Sequence, residues 1–218
     1  MWQGIVNWTI GNSAFLQSVC EVVVALVALF TVGFAWHGLS TWKREFLGRK
    51  KIELAEDVLC WFYEAADVIE AIRSPLSSEG EGCTRQARDS ESPEEEAIYN
   101  QAYITIERYN SRIELFSKLR SVRYRFKARF GRDSTKPIDA LLDAVRRVRV
   151  SAHSLARLWL QLGKAKDKDR RESLEKKVEK HEVVIYFGED EHDEIALQVQ
   201  KAVLDMEAFC RTVIGGKS

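Results

Sequence analysis

Residues 22–42, VVVALVALFTVGFAWHGLSTW, carry no Asp, Glu, Lys or Arg, and charge returns only at Lys43. At about 1.5 Å of rise per residue, roughly 20 helical residues cross a hydrocarbon core of about 30 Å, so this run has the length of one membrane-spanning helix. Two other readings fit less well. A signal peptide places basic residues ahead of a short apolar core, whereas Met1–Ser18 holds no charged side chain and the basic cluster lies on the far side. The core helix of a globular domain shows a polar stripe, and this run does not.

The flanks give an orientation. Lys43, Arg44, Arg49, Lys50 and Lys51 crowd the C-terminal side, while the first 13 residues contain no Lys or Arg. Because the basic side of a span stays in the cytoplasm, the tail 1–13 is expected outside, 14–42 as the transmembrane helix, and 43–215 as a cytoplasmic helical bundle. Trp8, Trp36 and Trp42 are candidate interfacial aromatics. Asn7-Trp8-Thr9 matches a glycosylation acceptor, but it lies too close to the membrane to carry weight. Glu21 stands at the outer edge of the apolar run, one turn beyond Gln17. It reads as a headgroup-level side chain or, alternatively, as a polar contact between spans or a pore-lining carboxylate.

Of 218 residues, 30% are charged, and only 12 are Gly and 3 Pro, so helix breakers are scarce and the part beyond the span should be one all-α domain of long helices. The net charge of zero hides a polarity along the chain. Four cysteines, Cys20, Cys60, Cys83 and Cys210, lack metal-like spacing and read as free thiols, with Cys60 and Cys210 expected in the core.

The first helix is expected to continue past the span, with Leu54, Val58, Trp61, Ala65, Val68 and Ile72 as its seam, until Pro75 ends it. Residues 76–92 are polar and aperiodic and read as a mobile acidic loop. Ser92-Pro93-Glu94-Glu95 has the form of a helix start, and the spacing predicts one helix from there to Phe130, through Ile98, Ala102, Ile106, Tyr109, Ile113 and Phe116, then Val122 or Arg123, Phe126 and Phe130. A third helix opens near Pro137 with Ile138, Leu141, Val145, Val148, Ala152, Leu155, Trp159 and Leu162. Its pattern lapses after Gly163 and resumes at Leu174, Val178, His181 and Ile185, which implies a kink or a short loop. The last helix carries Ile195, Val199, Ala202, Met206, Phe209 and Val213 before Gly215 and Gly216. Such seams close into an antiparallel bundle of about four long helices.

GLSTWKREFLGRKKIELAEDVLCWFYEAADVIEAIRSP (38–75) and IYFGEDEHDEIALQVQKAVLDMEAFCRTVI (185–214) resemble an uncharacterised family of bacterial single-pass, membrane-anchored helical proteins. The resemblance covers the two ends, implies this architecture at a bacterial inner membrane, and carries over no functional residue.

If the helices return antiparallel, the basic stretch Lys118–Lys136, with Arg125, Arg129 and Arg132, comes back toward the bilayer, and Glu79–Glu96 lie away from it. Anionic headgroups attract such residues by about 1 kcal/mol each near the surface. The interleaving KLRSVRYRFKARFGR also admits nucleic-acid binding, but Phe126 and Phe130 continue the apolar seam and no nucleic-acid module accompanies them. His153, His181 and the acid-flanked His192 are the histidines beyond the span. The acids around His192 fit a helix start better than a cation site. No phosphate loop, zinc-protease motif, nucleophile elbow or paired-cysteine motif occurs, so neither catalysis nor a cofactor is expected. Two function classes remain. One is a membrane-anchored interaction or scaffolding module that binds a protein partner or itself. The other is a small oligomeric effector or channel assembled through Gln17, Glu21 and the small residues Ala25, Ala28 and Gly33.

Overall fold

With few prolines and long apolar periodicities, little in this chain interrupts helical hydrogen bonding, and all regular structure among the described residues is helical. The structure is a computed structural model that describes residues 13–188 and 193–215. The tail with Asn7 and Trp8, residues 189–192 with His192, and Gly216 lie outside these.

Helix α1 runs unbroken for 60 residues, Ser13–Ile72. Gly33, Gly38 and Gly48 meet nothing that a Cβ would touch. Each therefore costs only its poor helix propensity, about 1 kcal/mol, which is too little to break a helix this apolar. The chain divides into two compact units, Met1–Lys50 and Lys51–Ser218. In the first, every described side chain from Gln17 to Leu47 is exposed. The helix is long and apolar enough to cross a membrane.

The second unit holds the rest of α1, then α2 (Pro93–Ser111), α3 (Ile113–Phe130), a 3₁₀ turn (Asp133–Thr135), α4 (Lys136–Lys164), α5 (Lys168–Ile185) and α6 (Glu194–Ile214). Helix α4 has the most regular stripe. Ile138, Leu141, Val145, Val148, Ala152 and Leu155 are all buried along it, and it packs against α2, α5 and α6. The main core joins α1, α3, α4 and α6 through residues such as Phe62, Phe116, Phe126, Leu141 and Met206. A smaller cluster joins α2, α4 and α5 through Ile106, Ala152, Leu155, Val178 and Ile185.

Helix starts follow their capping residues. Ser92 and Glu95 form a reciprocal capping box, with Pro93 in the first turn of α2. Asp167 accepts from the Arg170 N–H and starts α5 after a turn at 165–167, so the lapse between the third-helix halves is a short loop. Gly131, at φ 94°, ends α3 in a backbone conformation that disfavours side chains.

The structure corrects several expectations. The single helix expected from 93 to 130 is two, broken at Arg112 (φ −117°, ψ 18°). Asn110 and Ser111 are weak helix formers, and the Ser111 hydroxyl donates to the Arg108 carbonyl in competition with the ladder. The break resets the register. Ile113 turns outward, 44% exposed, while Leu115 and Phe116 turn in, and Phe116 stacks on Tyr109 with centroids 5.2 Å apart. In α1 the expected Leu54, Val58, Ala65 and Ile72 are buried, but Phe62 and Ile69 take the places expected for Trp61 and Val68, which are only half-buried. The observed set Ala55, Val58, Phe62, Ala65, Ile69 and Ile72 keeps the same alternation of three and four residues, and because Trp61 and Phe62, like Val68 and Ile69, are both apolar, spacing alone does not choose between them. Trp159 and Leu162 are likewise half-buried. Cys60 is exposed, whereas Cys210 is buried as expected. Val122, not Arg123, enters the core.

Candidate functional site

Three charged regions and one apolar surface are the candidates, and each is set by the helix that carries it. On α1 the apolar surface is continuous through Val22, Leu26, Phe30, Phe34 and Trp36, all exposed. Gln17 and Glu21, four residues apart, share one face and are both exposed. Trp42 stacks on Phe46 at 5.6 Å between centroids. Lys43, Arg44, Arg49, Lys50 and Lys51 follow, all exposed.

Helix α3 is the second region. Its buried line is Leu115, Phe116, Leu119, Val122 and Phe126, and from 115 to 132 the sequence contains no acid at all. The helical turn therefore places Lys118, Arg125 and Arg129 along one flank of the exposed side; Arg132 follows just beyond the helix, and all four are exposed. Arg123 is drawn off that face by an ion pair with Asp139 at 2.6 Å, and Lys136 pairs with Asp133 at 2.7 Å. At the end of α3, Phe126 and Phe130 pack on Phe209 of α6 at 5.5 and 5.4 Å. These two phenylalanines are core contacts rather than stacking platforms for bases.

The acidic segment 76–92, expected to be mobile, contains only turns, and it is tied to α2 along its length. Arg108 donates to the Ser74 carbonyl at 2.8 Å and pairs with Glu81 at 2.6 Å. Thr84 donates to Glu107 at 2.7 Å. Arg85 bonds Asn100 at 3.0 Å and pairs with Glu91. Gly82, at φ +84°, brings its backbone so close to α2 that a Cβ would stand 2.2 Å from the Asn100 carbonyl oxygen, and its N–H donates to Glu107. These partners neutralise Glu81 and Glu91. The hydrogen bond from Arg108 holds Glu81 below its ordinary range against the opposing pull of burial, and Arg85 does the same for Glu91.

The third charged region is buried. Arg73, 1% exposed, closes α1 and donates to the carbonyls of Val184 (2.9 Å), Val183 (3.2 Å) and Tyr186 (2.9 Å) and to Asp193 (2.9 Å). It thereby supplies donors to the unpaired carbonyls that end α5 and touches the N-cap of α6. Burial works to raise the Asp193 carboxyl, but the Ala196 N–H and Arg73 outweigh it and hold it below the ordinary range. Nothing in the sequence marked this joint, because Arg73 and Asp193 are 120 residues apart. Its geometry is that of a structural clasp, with the Arg73 Nε and Nη2 donors directed at protein acceptors.

Of the histidines, His153 is exposed, with its Nδ1 donating to the Arg149 carbonyl at 3.1 Å, and His181 meets the Ser151 hydroxyl at 3.1 Å. Among the described residues no group of three His, Cys, Asp or Glu side chains is arranged to hold a metal ion. The Cys210 thiol is pushed up to about 11 by burial, which makes it unreactive. No protein-family model matches the chain, and no curated protein or solved structure matches it either.

Proposed function

We propose that the chain is a membrane-anchored helical protein, a protein-interaction or scaffolding module at the cytoplasmic face of a bacterial inner membrane. In this reading 14–42 is its single span, 1–13 lies outside, and 43–215 forms the bundle inside. The observation that carries it is the change within α1, from an all-round exposed apolar surface before Trp42 to a one-sided seam buried from Leu54 onward. Leaving a Val, Leu or Phe in water forgoes about 1.5–3 kcal/mol each, and a hydrocarbon environment removes that cost. Lys43, Arg44, Arg49, Lys50 and Lys51 follow the apolar run directly and are suited to anionic headgroups, as are Arg125, Arg129 and Arg132. For the interaction role, a groove of about 280 Å³ between α1 and α6 supports the reading. Phe187 and Leu204 on its wall are 40% and 57% exposed. Such apolar surface favours a protein neighbour over solvent.

A second reading, an oligomeric effector or channel, is favoured by Gln17 and Glu21 sharing one exposed face at the end of the apolar run. Two measurements test the pair. The full chain with a C-terminal tag should resist alkaline carbonate extraction from inner membranes, and in spheroplasts the tag should survive external protease. Extraction by carbonate, or digestion of the tag, would sink the anchored reading. Glu21→Ala should leave the detergent-solubilised mass unchanged for the module and should dissociate an assembled channel.

A further inference from the structure

We propose that α4 carries a binding site for a phosphate-class anion, held by Arg149 and Arg157, with His153 between them and Arg120 beside them. The starting point is Arg149. Its guanidinium lies over the ring of buried Tyr109, 4.3 Å from the centroid, so an aromatic face fixes its position. Among the described residues it makes no side-chain hydrogen bond or ion pair, and its Nε is buried without an acceptor. An arginine has five N–H donors in a rigid fork, and burying one unpaired costs free energy unless something else is gained. Held by a ring and by no carboxylate, this fork is oriented and uncommitted.

The surroundings reinforce the charge. Arg120 donates to the Tyr109 hydroxyl at 3.3 Å and to the Ser117 hydroxyl at 3.2 Å, so two guanidiniums meet one tyrosine, one at its ring and one at its hydroxyl, and among the described residues neither is paired with an acid. One and two turns along α4 from Arg149 stand His153 and Arg157, both exposed. At about 1.5 Å of rise per residue, successive members of this row leave the helix about 6 Å apart, and Arg149 and Arg157 about 12 Å apart, a span their long side chains can close toward one group. Arg157 has no protein partner among the described residues. A groove of about 290 Å³ is lined by Arg146, Arg149, Val150, His153, Ser154 and Arg157. Arg146, at its far end, is already neutralised by Asp143, which leaves the unpaired positive charge at the Arg149–Arg157 end. The Ser154 hydroxyl donates to the Val150 carbonyl at 2.9 Å. The groove thus offers planar, charged donors and one apolar wall at Val150. Paired N–H forks match the oxygens of a phosphate monoester or diphosphate, whether that group is free in solution or the headgroup of a lipid.

The site does not depend on the membrane anchor and can fail while the anchor stands. Its test is calorimetric titration of the full chain in nonionic micelles at low salt. One arm uses inorganic pyrophosphate and the other short-chain phosphatidate, with Lys177→Gln, an exposed lysine elsewhere, as the control for diffuse charge. We expect saturable binding in at least one arm, and the tighter arm identifies the source. Arg149→Gln should weaken it about tenfold or more and Arg157→Gln several-fold, with Lys177→Gln unchanged. Arg157 is exposed, so its variant folds even if Arg149→Gln loosens the Tyr109 contact. No saturable binding in either arm, unchanged binding in both arginine variants, or an equal loss in Lys177→Gln would each overturn the site.

Discussion

Two stretches of one helix, 22–42 and 51–72, have the same backbone and opposite surroundings. In the first, Val22, Phe30, Phe34 and Trp36 are exposed; in the second, Val58, Phe62, Ala65 and Ile69 are buried. Helicity cannot be the cause of the difference, since every turn satisfies the same hydrogen bonds. The difference lies in what stands between the apolar residues. The second stretch interleaves Glu53, Glu56, Asp57, Glu64, Asp67 and Glu70 at helical spacing, so one face faces water while the other joins a core. The first has no such face, and its stability is left to whatever solvent surrounds it. A helix can therefore carry its own environment in its pattern or depend on one outside.

Phenylalanine truncation gives the sharpest contrast. Phe62→Ala should cost the second unit about 3–5 kcal/mol, read as a lowered midpoint in urea, because Phe62 is fully buried. Phe30→Ala should leave that midpoint where it was. A comparable loss from Phe30→Ala would erase the distinction between the two stretches.

The buried clasp should give the next largest effect. Asp193→Ala leaves Arg73 without its carboxylate at a 1%-exposed position and should cost about 3 kcal/mol. The same pair predicts a pH dependence. The Asp193 carboxyl titrates lower when folded, so its contribution is complete above the ordinary carboxylate value of about 4 and is lost as pH falls through the lowered folded value. Acid unfolding of the second unit should therefore shift to higher pH in Asp193→Ala. An unshifted acid transition would assign that clasp no role.

Thiol labelling reads the same contrast at the smallest scale. Cys60 and Cys83 are exposed and Cys210 is buried. Maleimide should modify the first two in the native protein and reach Cys210 only on unfolding, as counted by mass. Rapid native labelling of Cys210 would contradict the packing of α6.

Much of this was legible in the sequence because it is periodic. The α4 stripe from Ile138 to Leu155 and the α6 stripe through Ile195, Val199, Ala202 and Met206 are buried where the spacing placed them. What periodicity could not resolve is register. Trp61 against Phe62 and Val68 against Ile69 differ by one residue and about 100° of turn, and both members of each pair are apolar. The break at Arg112 has no proline or glycine to announce it. The ties of the acidic segment to α2, through Arg108, Glu107 and Asn100 and through the close approach at Gly82, left no periodic signal, because their partners lie on another helix. Arg149 gave no local signal either, since what distinguishes it is a ring 40 residues earlier and a missing carboxylate.

The clasp also has a consequence in time. Arg73 is made 120 residues before Asp193, and at a synthesis rate of about 5–20 residues per second that is an interval of about 6–24 s. During it the α1 seam has neither α6 to cover it nor an acid to meet its last residue. Whatever shields that seam meanwhile, lipid, ribosome or chaperone, acts before the protein itself can, and the second unit closes only when its final helix emerges.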